Sequence, residues 1–456
     1  MTRLDTALIR EKVAQSRQVV AETDGVDAWL TFCRETDEVA EPALPYILGF
    51  DIVWPTAVVI GPESSTVVLG RHDAPTAEEL DVHEVRSYDE SIETPLRETL
   101  DEVGTSSSRA DGASDAAAAD GASDAAAADG ASDAAAADSA SDAAAADSAS
   151  DTTTGNSASD ATTGNSASDT TAGRQTVALN YDRDDNTADG LSHGLYRRLQ
   201  DLLPEREFVS AGDIVRGVRG LKSETELERV RRAAETTEEL LQTATSTWDP
   251  DTTEAAFASF VHDRLQERDL GTAWAWDYCP TVHMGGDSEV GHTMPGEHTL
   301  SEGELLHVDF GVRRDDYAAD IQRLWVRGEP SAALRSVFRD VRAAIDAGHE
   351  RLEPGVVGHE VDTAARAELT DRGHPPFQHA FGHQVGRVAH DGGTLLAPEW
   401  ERYGEAPRGE VRAGEIYTME LGVDTEWGYV GQEEMVRVTE TGTEWVVAPQ
   451  TRLRRL

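Results

Sequence analysis

The sequence is nearly free of lysine and cysteine. Lys12 and Lys222 are the only lysines in 456 residues, and Cys33 and Cys279 the only cysteines. Two cysteines so far apart provide no disulfide framework, which fits a reducing compartment and a cytoplasmic location. No stretch of about 18 apolar residues is present, so no membrane-spanning helix is expected. The first seventeen positions mix charges with Leu4, Leu8, Ile9 and Val13, the spacing of an amphipathic helix, and lack the apolar core of a signal peptide. Positive charge is scarce too: 40 Lys and Arg stand against 86 Asp and Glu, a formal net charge of −46. Such a surface repels a phosphate backbone, which excludes nucleic acid as a partner. An acidic nucleic-acid mimic or a cation-binding surface would carry this charge. So would a protein that works in concentrated salt, where screening removes most of the self-repulsion. The second reading is the simpler one, because the acidic residues are spread through both halves.

The length predicts two or three domains. The segment 104–173 stands apart, with a nine-residue period marked by Asp115, Asp124, Asp133, Asp142, Asp151, Asp160 and Asp169. A nine-residue calcium-binding β-helix needs paired glycines and a large apolar residue in each unit, and both are missing. The repeat cannot bury enough apolar surface to offset the entropy of ordering and reads as a disordered insertion. Around it, residues 1–217 read as a mixed α/β domain. Its elements are a strand at 27–32, a hairpin through Val58–Ile60 and Val67–Leu69, a strand at 176–180 and a helix at 191–203 that stops before Pro204. No catalytic constellation is visible there. Residues 218–456 open with a helix over 224–247, capped by Ser223, and a second over about 253–268.

The chemistry lies further on. Leu305, Val308 and Phe310 precede the polar turn Arg313-Arg314-Asp315-Asp316, and Tyr317, Ile321 and Leu324 follow it. If this hairpin turns between Arg314 and Asp315, Asp309 faces Asp320, with Cβ atoms about 4.5–5.5 Å apart. Carboxylates that close repel unless a proton or cation lies between them. Surface aspartates on an acidic protein are the plain alternative, but Val308, Phe310 and Ile321 argue for burial. The same arithmetic on the hairpin around Glu426-Trp427 sets Glu420 opposite Glu433 and turns Glu434 to the other face. Between the hairpins lie His379, His383 and His390, and imidazole with carboxylates suits first-row divalent cations. Four carboxylates and a histidine suit two such ions about 3.5–4 Å apart.

These stretches resemble the signatures of the pita-bread metallopeptidases, which include prolidase, aminopeptidase P and methionine aminopeptidase. Val308-Asp309-Phe310-Gly311 and Tyr317-Ala318-Ala319-Asp320-Ile321-Gln322-Arg323 look like Asp-x-Gly…Tyr-x-x-Asp-x-Thr-Arg. The run from His379 through Gly382-His383 to His390-Asp391 looks like the histidine motif. Thr418-Met419-Glu420 looks like Thr-Ile-Glu-Pro-Gly, and Gln432-Glu433 falls where the last glutamate is expected. Residues 220–228 resemble the family's lead-in to its catalytic domain, and 1–217 more weakly resemble the creatinase/prolidase N-terminal module.

The resemblance implies a pita-bread catalytic domain over 218–456. It also implies that Asp309, Asp320, His383, Glu420 and Glu433 bind two divalent ions, with Asp320 and Glu433 bridging. Manganese is the first expectation, because the ligands are oxygen-rich; cobalt, zinc and iron are the others. Glu420 would also be the general base for a metal-bridging hydroxide, and His390 would steady the oxyanion. His292 and His379 would contact the substrate or assist the leaving amine. The implied substrate is a peptide, cut at an Xaa-Pro bond in a dipeptide or at a peptide N-terminus, by a homodimer.

Four departures bear on specificity. Gln322 and Leu324 replace the two threonines of Thr-Arg-Thr, Leu421 replaces the proline of Glu-Pro-Gly, and Gly431 stands where many proline-specific members have arginine. A C–N hydrolase or lyase acting on a small molecule, or an inactive metal-binding module, are the alternatives on this scaffold.

Overall fold

The structure is a computed structural model that describes residues 5–114, 174–288, 291 and 293–456. The expected disordered insertion lies outside the described residues over 115–173. Its first positions differ from that expectation, because helix α4 continues through Ser114.

The N-terminal elements in chain order are α1 (Thr6–Glu22), β1 (Ala28–Cys33), α2 (Leu44–Ile47), β2 (Thr56–Ile60), β3 (Ser65–Gly70), α3 (Ala74–Leu80), β4 (Glu84–Tyr88), α4 (Glu93–Ser114), β5 (Thr176–Leu179), α5 (His193–Leu202), β6 (Glu207–Ser210) and α6 (Gly212–Gly220). The strands form one mixed sheet in the order β4-β3-β2-β1-β5-β6. Strand β1 is buried along its whole length. Trp29 packs with Ile9, Val13 and Ile214 on one face, and Leu30 and Phe32 pack with Leu96, Leu100 and Leu199 on the other. Helices therefore cover both faces, as an apolar strand without alternation requires.

The C-terminal elements begin with α7 (Glu224–Ser246) and α8 (Glu254–Glu267). Helix α7 starts at a capping box, with Ser223 Oγ accepting from Glu226 N and the Glu226 carboxylate accepting from Ser223 N. Short strand β7 (Gly271–Thr272) follows, then β8 (Thr281–Met284), β9 (Leu305–Phe310), β10 (Val312–Arg314), β11 (Tyr317–Ala318) and β12 (Ile321–Val326). Helices α9 (Ala332–Arg351) and α10 (Gly358–Asp371) precede β13 (Ile416–Thr425), β14 (Gly428–Thr439), β15 (Gly442–Trp445) and β16 (Arg454–Arg455). The main sheet runs β13-β14-β12-β9-β8, with β15 beside β14 and β16 beside β12. Helices α7 and α8 pack on one side, while α9 and α10 enclose a second core with Leu324, Tyr417 and Val436. The molecule is thus mixed α/β, with a six-stranded N-terminal sheet and a larger helix-flanked C-terminal sheet.

One register differs from the sequence arithmetic. Asp309 pairs with Gln322 across β9 and β12, and not with Asp320. The turn is the two-residue loop Asp315-Asp316, flanked by the pair Arg314 and Tyr317. Both aspartates have positive φ, 51° and 65°, as the hairpin turn that matches strand twist demands. Moving the turn centre by one residue shifts every partner by two, so Asp320 becomes a diagonal neighbour of Asp309 on the same face. The second hairpin keeps the expected register, with Glu420 opposite Glu433.

Candidate metal centre

Four adjacent strands set one polar row. Glu420 on β13 faces Glu433 on β14, Glu433 faces Gln322 on β12, and Gln322 faces Asp309 on β9. Register partners point to the same face of a sheet, so these side chains stand together, with Asp320 two positions from Gln322. Glu434 points the other way, where its carboxylate meets Arg323 at 3.0 Å and Arg342 at 3.3 Å.

His383 reaches the row from the loop beside β13. Thr418 N donates to the His383 carbonyl, and His383 N donates to Thr418 Oγ1. A Cβ at position 382 would collide with the Thr418 carbonyl oxygen, so only glycine lets the loop lie this close. His383 Nε2 then sits 3.8 Å from Asp320 Oδ2, 3.7 Å from Glu420 Oε1 and 3.8 Å from Glu433 Oε1.

Three overlapping trios have ligand atoms within 4.8 Å of one another: Asp309–Asp320–Glu433, His383–Glu420–Glu433 and Asp320–His383–His390. The last includes a histidine expected to act on the oxyanion. Burial pushes all four carboxyls upward, and mutual repulsion adds to the rise of Asp320, Glu420 and Glu433. Burial and then His390 hold His383 down, to about 3, so its imidazole is neutral and able to ligate. Asp309 Oδ1 is buried without a hydrogen-bond partner among the described residues. A buried acidic cluster with an orphaned oxygen and a neutral imidazole fits divalent cations, which supply the missing counter-charge.

The cluster opens into a cavity of about 1650 Å³, lined in part by His379 and His390. Both of these histidines are exposed. His292 lies outside the described residues. The N-terminal domain also contributes: residues 182–186 and Arg216 line the same cavity. Sequence reading missed this, although the acidic run after the strand at 176–180 was a visible signal. It also read Gln322 only as a departure bearing on specificity, while the structure sets it in the middle of the row.

Residues 228–440 match metallopeptidase family M24. The match spans a little under half of the chain and marks this stretch as an M24 metallopeptidase domain. It is 25% identical to the Xaa-Pro dipeptidase of Pyrococcus horikoshii over 256 residues, 56% of this chain and 70% of that one. It is 28% identical to the Xaa-Pro dipeptidase of Lactobacillus delbrueckii subsp. lactis over 205 residues, 44% of this chain and 55% of that one. Among solved structures, the X-Pro aminopeptidase of Thermotoga maritima superposes with a TM-score of 0.65 at 19% identity, covering 97% of this chain and 100% of that one. Dipeptidase PepE of Mycobacterium ulcerans gives 0.65 at 19% identity, covering 100% and 99%. These structures share the fold of this chain over both its N-terminal and C-terminal sheets. No helix among the described residues is long and apolar enough to cross a membrane.

Proposed function

We propose that this M24 enzyme hydrolyses the Xaa-Pro bond of dipeptides or peptide N-termini, with two divalent cations held by Asp309, Asp320, His383, Glu420 and Glu433. The convergence of these five side chains supports it most, because buried like charges need cations between them. When bound, the pair of cations polarises a carbonyl and makes a water acidic enough to deprotonate near neutral pH. Manganese is the proposed metal, on the grounds of the four carboxylates.

Glu420 takes the water's proton as general base. His390, exposed on the cavity, donates to the oxyanion. His379, on the same wall, and His292 contact the substrate or the leaving amine. The division at 217/218, with 104–173 as an insertion, belongs to the same reading, as do a homodimer, a cytoplasmic location and adaptation to concentrated salt.

The decisive experiment assays Xaa-Pro dipeptides and longer peptides with Mn²⁺, Co²⁺ or Zn²⁺ in high salt. Its arms are the parent, Asp320→Asn and a chain lacking 115–173. Asp320→Asn is expected to lose roughly a hundred-fold or more in kcat/KM, and the deletion almost nothing. Unchanged cleavage by Asp320→Asn removes the mechanism, and a large loss on deletion removes the insertion reading. Hydrolysis confined to small non-peptide C–N bonds would favour the alternative chemistry on this scaffold.

A further inference from the structure

Gln322 is an amide among carboxylates, between Asp309 and Glu433 in the sheet and 7% exposed. Its Nε2 donates to Glu420 Oε2 at 3.2 Å, and its Oε1 faces His307 Nε2 at 2.9 Å. The directions follow from chemistry. An ionised carboxylate only accepts, so the amide nitrogen must face Glu420 and the amide oxygen must face His307. His307 Nε2 therefore carries a hydrogen. Its Nδ1 then offers a lone pair to His283, whose Nδ1 lies 3.1 Å away. The two rings stack almost parallel, at 7°, with centroids 5.3 Å apart. Tyr429 closes the edge of His307 at 5.1 Å.

We propose that Gln322, locked by His307, is the positioning residue for Glu420: it holds Oε2 so that Oε1 stays turned toward His383 and the metal centre. The inference rests on Glu420 belonging to that centre. Two further observations carry it. The oxygen that Gln322 leaves free is the one 3.7 Å from His383 Nε2. Rotating the amide would set its oxygen against the Glu420 carboxylate and its NH₂ against the His307 N–H, so both neighbours oppose the flip.

Gly431 makes room for the device. A Cβ there would collide with the Tyr429 ring and lie 2.6 Å from Gln322 Oε1 and 2.8 Å from His307 Nε2. A side chain at 431 and the His307–Gln322 pair exclude each other. The departures Gln322 and Gly431 are thus one structural change, coupled through His307.

The test uses the full-length protein, stripped of metal and titrated with Mn²⁺ alone, and separately assayed for kcat and KM after loading. Gln322→Leu and His307→Leu should each weaken Mn²⁺ binding or lower kcat about ten- to a hundred-fold, with KM nearly unchanged. The double variant should be little worse than Gln322→Leu, because the pair acts as a unit. His307→Gln, which returns an amide donor near the Nε2 position, should recover most of the loss. Gly431→Ala presses on the pair from outside and should give the same kcat-dominated loss, which decides the matter if His307→Leu does not fold. A His307→Leu protein that binds Mn²⁺ and turns over like the parent, or single losses that multiply in the double variant, would overturn the proposal. If the parent cleaves no Xaa-Pro substrate, the proposed activity fails, while the Mn²⁺ affinities still decide the positioning role.

Discussion

Two clusters of buried charge occupy this molecule, and they are built on opposite rules. At the domain junction every charge has its opposite. Lys12 of α1 meets Glu226 of α7 at 2.9 Å with both side chains fully buried. Asp391 accepts from Arg219 at 2.6 Å and from Lys222 at 3.0 Å. Lys12 Nζ also donates to the Leu221 carbonyl, and Lys222 Nζ to those of Arg219 and Gly220. These carbonyls lie at the C-terminal end of α6, where unpaired oxygens and the helix dipole favour a cation. A compact ammonium with three donors suits such a site better than a planar guanidinium. The two lysines survive in an otherwise arginine-only chain at the place where their shape matters. At the metal centre four carboxylates and a neutral imidazole share one pocket with no cationic side chain in the cluster. The junction brings its counter-charge in the sequence, and the metal centre must import it. The two clusters are neighbours in the chain, because Asp391 directly follows His390.

The largest way to break this comparison is to unpair the junction. Lys222→Met leaves Asp391 buried with one cation fewer and should destabilise the protein by about 3–5 kcal/mol in urea unfolding at high salt. In metal-free protein Asp320→Asn should do the opposite and leave stability equal or higher, because it removes a like charge. A Lys222→Met protein as stable as the parent would end the distinction.

Glu41 tests the intermediate case. It is buried, with Ala43 N and Asn180 donating to it and Arg219 as a weaker counter-charge. Burial raises its pKa from 4.5 to about 7. Between those values the folded state binds more protons than the unfolded chain, so stability is highest below 4.5 and falls as pH rises toward 7. The contribution is about 2–3 kcal/mol. Glu41→Gln should flatten the stability profile over that window, and an unchanged slope would assign the pH dependence elsewhere.

The smallest effect is chemical. An amine-acylating reagent should label neither lysine in the folded protein and both after unfolding, read by peptide mass mapping. Native labelling of Lys12 or Lys222 would show that the junction opens.

Much of the secondary structure was legible in the sequence. The Ser223 cap of α7 is a local signal and lies where the pattern put it, while the amphipathic helix expected over the first seventeen positions runs instead from Thr6 to Glu22. The Glu420–Glu433 register was legible because Glu426-Trp427 sits at the centre of an uninterrupted hairpin. The Asp309–Asp320 register was misplaced because two adjacent aspartates can occupy left-handed positions, and composition alone did not say which two residues form the loop. The acidic run at 182–186 is visible in the sequence, but nothing local tells a loop which domain it will face, so its place on the cavity wall was not legible.

By itself the sequence settled the family resemblance of the C-terminal half, the order of the acidic and histidine motifs, and the face on which each strand residue points, because strand alternation and turn chemistry act over a few neighbours. Only the tertiary structure decided that Gln322 stands between Asp309 and Glu433, that its amide faces Glu420, and that Gly431 leaves room for His307. Those relations cross four strands from two separate parts of the chain, and short-range periodicity does not encode which edges meet. The two lysines divide the same way. Their scarcity is written in the composition, but their burial against Glu226 and Asp391 exists only once α1, α6, α7 and the loop that carries Asp391 have packed together.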